Sequence, residues 1–164
     1  MSEGAPHLEE CPWLTPASQA WVALLLLSHR QAFGRPLWAG AESGRDGRQS
    51  AQEIFTASAT VLAHDGGADP CFIYANRAAL TLWRRRWHGM VGMPSRLSAA
   101  PEARGERKAA LQRAQQAAIV DYSGERIDSN GRRFRIDSAR LWTIHDADGK
   151  PCAQAATFDR WWWL

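Results

Sequence analysis

CFIYANRAALTLW, residues 71 to 83, runs from an apolar, β-compatible segment through a single asparagine into a short helical pattern. An asparagine side chain accepts a bond from a free amide of the following turn, so Asn76 is expected to cap a helix on which Ala79, Leu80 and Trp83 share a face. A strand that passes straight into a capped helix constrains everything around it. Upstream, SATVLAH (58–64) is a second β-compatible run, and DGGADP (65–70) divides it from CFIYA as a turn, so the two read as an antiparallel pair. Downstream, Trp87 would extend the helix face only by continuing through three arginines, and Met93-Pro94 ends any helix in this region.

Further upstream, Thr15-Pro16 supplies an N-cap followed by proline at the first helical position, and Gly34 supplies a stop, which predicts a helix over 16–33. Its apolar residues, Trp21, Val22, Leu24, Leu25, Leu26 and Leu27, cover more than one face. Such a helix needs burial on two sides, either between its own sheet and another element or between two copies of the chain, and in the second case Trp21 and Leu25 are candidate interface residues. Residues 1–14 read as a flexible tail. AGAESGRDGRQSAQ (39–52), rich in Gly, Ser and charge, reads as a flexible connection before a core over 54–162, all within one domain spanning 15–164.

Beyond the first helical segment, PEARGERKAALQRAQQAA (101–118) has Pro and Glu at its start and good helix formers after them. Three strand patterns follow, separated by SNGR and DADGK. Asn130-Gly131 predicts a two-residue type I′ turn. In that register Ile127 opposes Phe134, Glu125 opposes Ile136, Ser123 opposes Ser138 and Ile119 opposes Trp142. Tyr122 opposes Ala139 and Arg126 opposes Arg135 on the second, wetter face.

Length and composition bound the reading. At 164 residues and 45% hydrophobic content, the chain has room for one domain that buries roughly 70% of its unfolded surface. With 20 basic and 17 acidic residues, the formal charge of +3 is too slight and too mixed to announce a nucleic-acid or membrane partner. The apolar run WVALLLL (21–27) is far short of the roughly 20 residues that cross a bilayer. No secretory pattern opens the chain, and Cys11, Cys71 and Cys152 are odd in number and widely spaced, so a cytoplasmic, reducing setting is expected.

DPCFIYANRAALTLW, MPSRLSA, DYSGERIDSNGRRFRIDSARLW and GKPCAQAATFDRW together resemble the MEKHLA domain, a PAS-related module found alone in bacteria and at the end of some plant transcription regulators. The resemblance spans roughly residues 18 to 163 and is densest after Asp69. Departures are the polar 39–52 segment, the loose match of SHRQAFGRPL, and the terminal WWWL. The resemblance implies an α+β, PAS-like fold: a five-stranded antiparallel sheet in the order 2-1-5-4-3, helices over one face enclosing a small cavity, and an extra N-terminal helix. Cys71 and Cys152 would then be separated by the first strand.

No hydrolase elbow, nucleotide loop, HExxH or paired CxxC occurs, so no catalytic residue and no metal site is assigned. His64-Asp65 and His145-Asp146 read as polar strand ends. His29 and His88 lack a supporting haem pattern, and no cysteine sits in the helical motif of flavin photoreceptors, so haem and flavin are both disfavoured and no cofactor is required. WRRRW (83–87) could grip nucleic acid, but its arginines cannot share a helix face. The small residues Cys152, Ala153, Ala155 and Ala156 opposite Phe134 and Trp142 leave room for a small-molecule ligand, with Tyr74, Trp83, Ser123, Phe134, Ser138, Trp142 and Gln154 as pocket candidates. The expected function is a non-catalytic sensory or regulatory module that binds a small molecule or a protein partner. It would signal through homodimerisation or a separate signalling protein, with Trp161, Trp162 and Trp163 as further interface candidates. The alternatives are a ligand-free dimerisation domain and, more distantly, an enzyme using the same cavity.

Overall fold

The computed structural model describes residues 11–41 and 46–164. Among these the helices are α1 (Pro16–Phe33), α2 (Gly47–Thr56), α3 (Arg77–Trp83), α4 (Trp87–Met90) and α5 (Arg104–Gln116). The strands are β1 (Thr60–Asp65), β2 (Phe72–Ala75), β3 (Ile119–Ile127), β4 (Arg133–His145), β5 (Pro151–Phe158) and β6 (Arg160–Trp163). All strand pairs are antiparallel. The order β2-β1-β5-β4-β3 is the one expected from the resemblance. β6 adds a short continuation: after Asp159 the chain resumes alongside the first part of β4, from Asp137 opposite Arg160 to Phe134 opposite Trp163.

The sheet is buried on both faces. α3 and α5 cover the inner face, where Leu62, Phe72, Trp83, Phe134, Ile136, Leu141 and Phe158 form one core. α1 and α2 cover the outer face, where Val22, Leu25, Ile54, Val61, Tyr74, Trp142 and Ile144 form another. α1 has its expected limits because the cap chemistry is local: Thr15 Oγ1 accepts from the Ser18 amide, and Gly34 takes the left-handed conformation at φ 70°.

α2 corrects the expectation of a flexible 39–52 connection. Asp46 accepts from the Gln49 amide and starts a helix whose Ala51, Ile54 and Phe55 face the outer core; residues 42–45 lie outside the described residues. The tail is also shorter than expected. Pro12–Leu14 form a 3-10 turn with Leu14 buried, and the Trp13 ring stacks on Phe55 at 3.8 Å; residues 1–10 lie outside the described residues.

The β3–β4 turn is one residue longer than the expected Asn-Gly turn. Asp128 Oδ1 accepts from the amides of both Asn130 and Arg132, Gly131 N–H bonds to the Asp128 carbonyl, and only Gly131, not Asn130, has positive φ. A three-residue loop ending in a left-handed glycine is the alternative hairpin solution, and the Asp128 carboxylate selects it. Register therefore slips by one: Arg126 opposes Phe134 and Gly124 opposes Ile136, and only at Tyr122–Ala139 does the expected pairing return. Ser138, left-handed at φ 54°, absorbs the extra residue on β4, so that Phe134 and Ile136, then Ala139 and Leu141, all reach the inner core.

Candidate functional site

The strand-to-helix junction holds the inner face in place, and Asn76 does more there than cap a helix. Its Oδ1 accepts from the Ala79 amide at 3.1 Å and from the Val61 amide at 3.0 Å. Its Nδ2 donates to the carbonyls of Ile54 at 3.0 Å and Ala59 at 2.7 Å. One fully buried amide thus joins the end of α2, the start of β1 and the first turn of α3. α3 then stops at Arg84, left-handed at φ 54°, so the inner-face Trp83 and the outer-face Trp87, which meets Phe55 and Tyr74, belong to opposite cores.

The seven pocket candidates do not converge. Trp83, Phe134 and Gln154 stand on the inner face; Trp83 meets Phe134 edge-to-face, and its Nε1 donates to the Ser98 carbonyl. Tyr74 and Trp142 project from the outer face instead. Trp142 Nε1 donates to Ser28 of α1 and its ring packs on His29, while the Tyr74 phenol is raised far above its ordinary pKa by burial. Helices on both faces bury both sets of strand residues, so hydrophobicity alone could not assign them. Ser123 and Ser138 also lie away from the inner cavity, both donating to the Asp137 carboxylate, which pairs with Arg160.

The interface candidates divide in the same way. Leu25 is fully buried against the sheet, so it cannot meet a second copy. Trp21 is half-buried, and Ala17, Ala20, Ala23 and Leu27 are exposed beside it, while Ser18, Ser28 and His29 are buried beneath the helix. In β6, Trp161 and Trp163 pack edge-to-face on Phe134, Arg132 lies over the Trp163 ring at 4.0 Å, and both Trp161 and Trp162 are exposed.

A cleft of about 420 Å3 opens between α5 and the β1 and β5 end of the inner face, with His64, Ser95, Arg107, Leu111 and Gln154 among its walls. An interior void of about 30 Å3 lies behind it, sharing His64, Arg107, Leu111 and Gln154 and reaching Leu62, Trp83 and Phe158. The backbone explains the convergence: His64 and Gln154 are direct cross-strand partners, and Arg107 occupies the buried stripe of α5 with Ala110 and Ala114. α5 is held over the cleft by donors from the sheet, Gln154 Nε2 to the Leu111 carbonyl at 2.8 Å and Thr143 Oγ1 to the Ala114 carbonyl at 3.1 Å.

The cleft is rich in unmatched polarity. His64 is buried, contrary to its expectation as a polar strand end, and its Nδ1 meets the Asp65 carbonyl at 2.8 Å, leaving Nε2 without a partner. Burial lowers its pKa to about 4, with Arg107 lowering it further and the Asp65 contact opposing. Ser95 Oγ is likewise buried without a partner. Arg107, only 8% exposed, has its pKa lowered to about 10 by burial and by repulsion from Arg126. Arg126 Nη2 donates to the Tyr122 hydroxyl, which donates to Glu106, and Nη1 donates to the Glu125 carbonyl. Arg96 is paired with Asp69 at 3.2 Å. Among the described residues no carboxylate pairs with Arg107, and no cluster of three His, Cys, Asp or Glu could hold a metal.

Sequence reasoning missed Arg107, Arg126 and His64. Arg107 carried a usable signal, being three and seven residues before the buried Ala110 and Ala114 on one helical stripe. Arg126 was hidden by the one-residue slip at the turn, which moves it from the wet face to the inner one.

Comparison with known proteins agrees with the architecture. The MEKHLA domain model matches residues 19–163. A crystal structure of the PAS domain of a protein from Colwellia psychrerythraea superposes with a TM-score of 0.60 at 15% identity, covering 69% of this chain and 95% of that one. An RNA-binding light-oxygen-voltage receptor gives a TM-score of 0.60 at 16% identity, covering 77% of this chain and 36% of that one. A light-oxygen-voltage domain studied with a flavin analogue gives 0.53 at 16% identity, covering 71% and 84%. At such identities the likeness is one of fold. No curated protein matches the chain significantly.

Proposed function

The chain belongs to the MEKHLA domain family, and from that premise we propose that it is a non-catalytic cytoplasmic sensory or regulatory module that binds a small molecule in the cleft beneath α5. The observation that carries this reading is the set of buried polar groups facing the cleft without partners, His64 Nε2 and Ser95 Oγ beside the uncompensated Arg107. Each buried polar atom left unpaired costs about 1–3 kcal/mol, and a guest that satisfies them offsets that cost. PAS-type architecture supports the reading by placing the cleft where helices and sheet separate. Native mass spectrometry of the chain purified from its host tests it: a retained small mass is expected, and a chain that is bare on repeated preparation refutes it.

A second reading, self-association as the output, rests on α1. Its hidden side holds Val22 and Leu25 together with Ser18, Ser28 and His29, while Ala17, Ala20, Ala23 and Leu27 face outward, so apolar residues stand on both sides of the helix. A second copy packed on that outer side accounts for the exposed apolar residues. Leu27→Glu is expected to turn a dimer into a monomer in sedimentation and to remove the concentration dependence of the melting midpoint, and a wild-type monomer at high concentration refutes this reading. No helix among the described residues is long and apolar enough to cross a membrane.

A further inference from the structure

The chemistry of the cleft points to its ligand class. Three of the basic groups in or behind the cleft already have partners on the protein: Arg96 pairs with Asp69, Arg104 Nε donates to the Arg96 and Ala99 carbonyls, and Arg126 bonds the Tyr122 hydroxyl and the Glu125 carbonyl. Lys108 is exposed at the rim. Arg107 is different: it is 8% exposed, repelled by Arg126, and no carboxylate among the described residues pairs with it. A guanidinium removed from water without a counter-charge is among the least favourable groups a fold can hold. It lines both the cleft and the void.

Resting on the ligand-binding reading above, we propose that the cleft takes a small organic monocarboxylate. Its carboxylate is received by Arg107 with Ser95 beside it, and its apolar end lies in the cleft against Leu111 and Pro70. Arg126 is equally buried and also lacks a carboxylate, but it is engaged by the Tyr122 hydroxyl and the Glu125 carbonyl, so the carboxylate is assigned to Arg107, which lines the larger cleft. The planar fork of arginine matches the two oxygens of a carboxylate. The void behind Arg107, about 30 Å3 and walled in part by His64, Arg126 and Gln154, has room for about one water molecule, so the apolar end stays in the larger cleft.

The test uses the full chain, thermal melting and isothermal titration, with butyrate and benzoate as probes, butyramide and benzamide as their neutral counterparts, and inorganic phosphate as the competing oxyanion. Carboxylates are expected to raise the melting midpoint and to bind at least about tenfold tighter than the amides. Arg107→Met keeps the unbranched stem and removes the charge. It is expected to raise the midpoint of the ligand-free chain by about 2–4 °C, as an uncompensated buried charge is relieved, and to weaken carboxylate binding about ten- to a hundredfold. Lys108→Met, at the rim, is expected to change affinity by no more than about threefold. Amides binding as tightly as acids, phosphate binding tighter than either carboxylate, or carboxylate affinity unchanged in R107M would each overturn the proposal while leaving a ligand cleft in place. Absence of binding by every probe, with a small mass still retained in native spectra, overturns the monocarboxylate assignment alone. The same absence with a bare chain removes the ligand-binding reading as well.

Discussion

Replacing Asn76 with alanine separates two accounts of the junction that look alike in sequence. As a helix cap alone the residue contributes about 1 kcal/mol. As a four-way clip it contributes far more, because its removal strands the amides of Val61 and Ala79 and the carbonyls of Ile54 and Ala59 around a fully buried position. The amides have no second acceptor to turn to. The carbonyls keep a second lone pair, and Ile54 also accepts from the Ala57 amide at 3.4 Å. Counting about 1–3 kcal/mol for each stranded amide and less for each carbonyl gives about 4 kcal/mol. In a domain of this size that lowers the melting midpoint by roughly 8–16 °C.

Asn76→Asp is the decisive companion. Aspartate is as good a cap as asparagine, and its acceptor oxygens still serve Val61 and Ala79. Its second oxygen, however, faces the Ile54 and Ala59 carbonyls where an N–H₂ group now donates to both. The clip account therefore expects Asp to lose at least as much stability as Ala in urea unfolding followed by circular dichroism. An Asp variant within about 1 kcal/mol of the wild type would return Asn76 to simple capping.

Stability should fall on acidification between pH 6.5 and 4. His64 has a folded pKa of about 4 against an unfolded value of 6.5, so over that window the unfolded chain holds the extra proton, at a cost of up to about 3 kcal/mol. Burial lowers the His29 pKa to about 4 as well, so His64→Gln should reduce the slope of urea midpoints measured at pH 7, 6 and 5 by about half, and an unaltered slope would show that His64 is not responsible. Asp128→Ala removes the acceptor for the Asn130 and Arg132 amides and should cost about 2–3 kcal/mol. Asp128→Asn keeps an oxygen there and should cost less than about 1 kcal/mol; equal losses in chemical denaturation would contradict the turn mechanism. Gly124→Ala drives a methyl into the Tyr122 hydroxyl and against Arg126 and should cost about 1–3 kcal/mol. Gly105→Ala, where an added methyl meets nothing, should gain up to about 1 kcal/mol. Melting curves that rank the two glycine variants the other way would sink the assignment.

What the sequence disclosed was whatever depends on a few consecutive residues. The Thr15-Pro16 start and Gly34 stop of α1 and the Asn76 junction are local cap chemistry, and the strand order follows from the resemblance to a PAS-related family. The hidden parts depend on choices between nearly equal local options. Asn130-Gly131 favours a two-residue turn until the Asp128 carboxylate, two residues away, stabilises a three-residue one, and that single residue moves Arg126 onto the inner face. Tyr74 and Trp142 look like pocket residues until α2, concealed by its polar first half, is seen to cover the outer face. Arg107 reads as one charge among many on a polar helix, and only the packing of α5 on the sheet shows that it is buried.

The same packing makes α5 the element most able to respond to a ligand under the proposed function. Its buried stripe is Arg107, Ala110 and Ala114, which offers little apolar area, so α5 is seated largely by the Gln154 and Thr143 bonds to its carbonyls and by the Tyr122–Glu106 contact. Small apolar area and a few exchangeable hydrogen bonds mark the low-stability end of a structure. The outer layer is seated differently, by Val22, Leu25, Ile54 and Trp142 interlocked beneath α1 and α2. Only one strand thickness divides the two layers. His64 and Gln154, on the cleft side, are followed or preceded along their strands by Ala63 and Ala155, which are cross-strand partners on the outer face, and Ala155 in turn pairs with Trp142, whose indole bonds Ser28 of α1. A ligand that draws Arg107 and α5 toward the sheet therefore strains the strand positions directly under the helix whose outward face is apolar. Under the proposed self-association through α1, that contiguity joins the cleft to the interface, and Trp142, misplaced as a pocket residue, lies between the two.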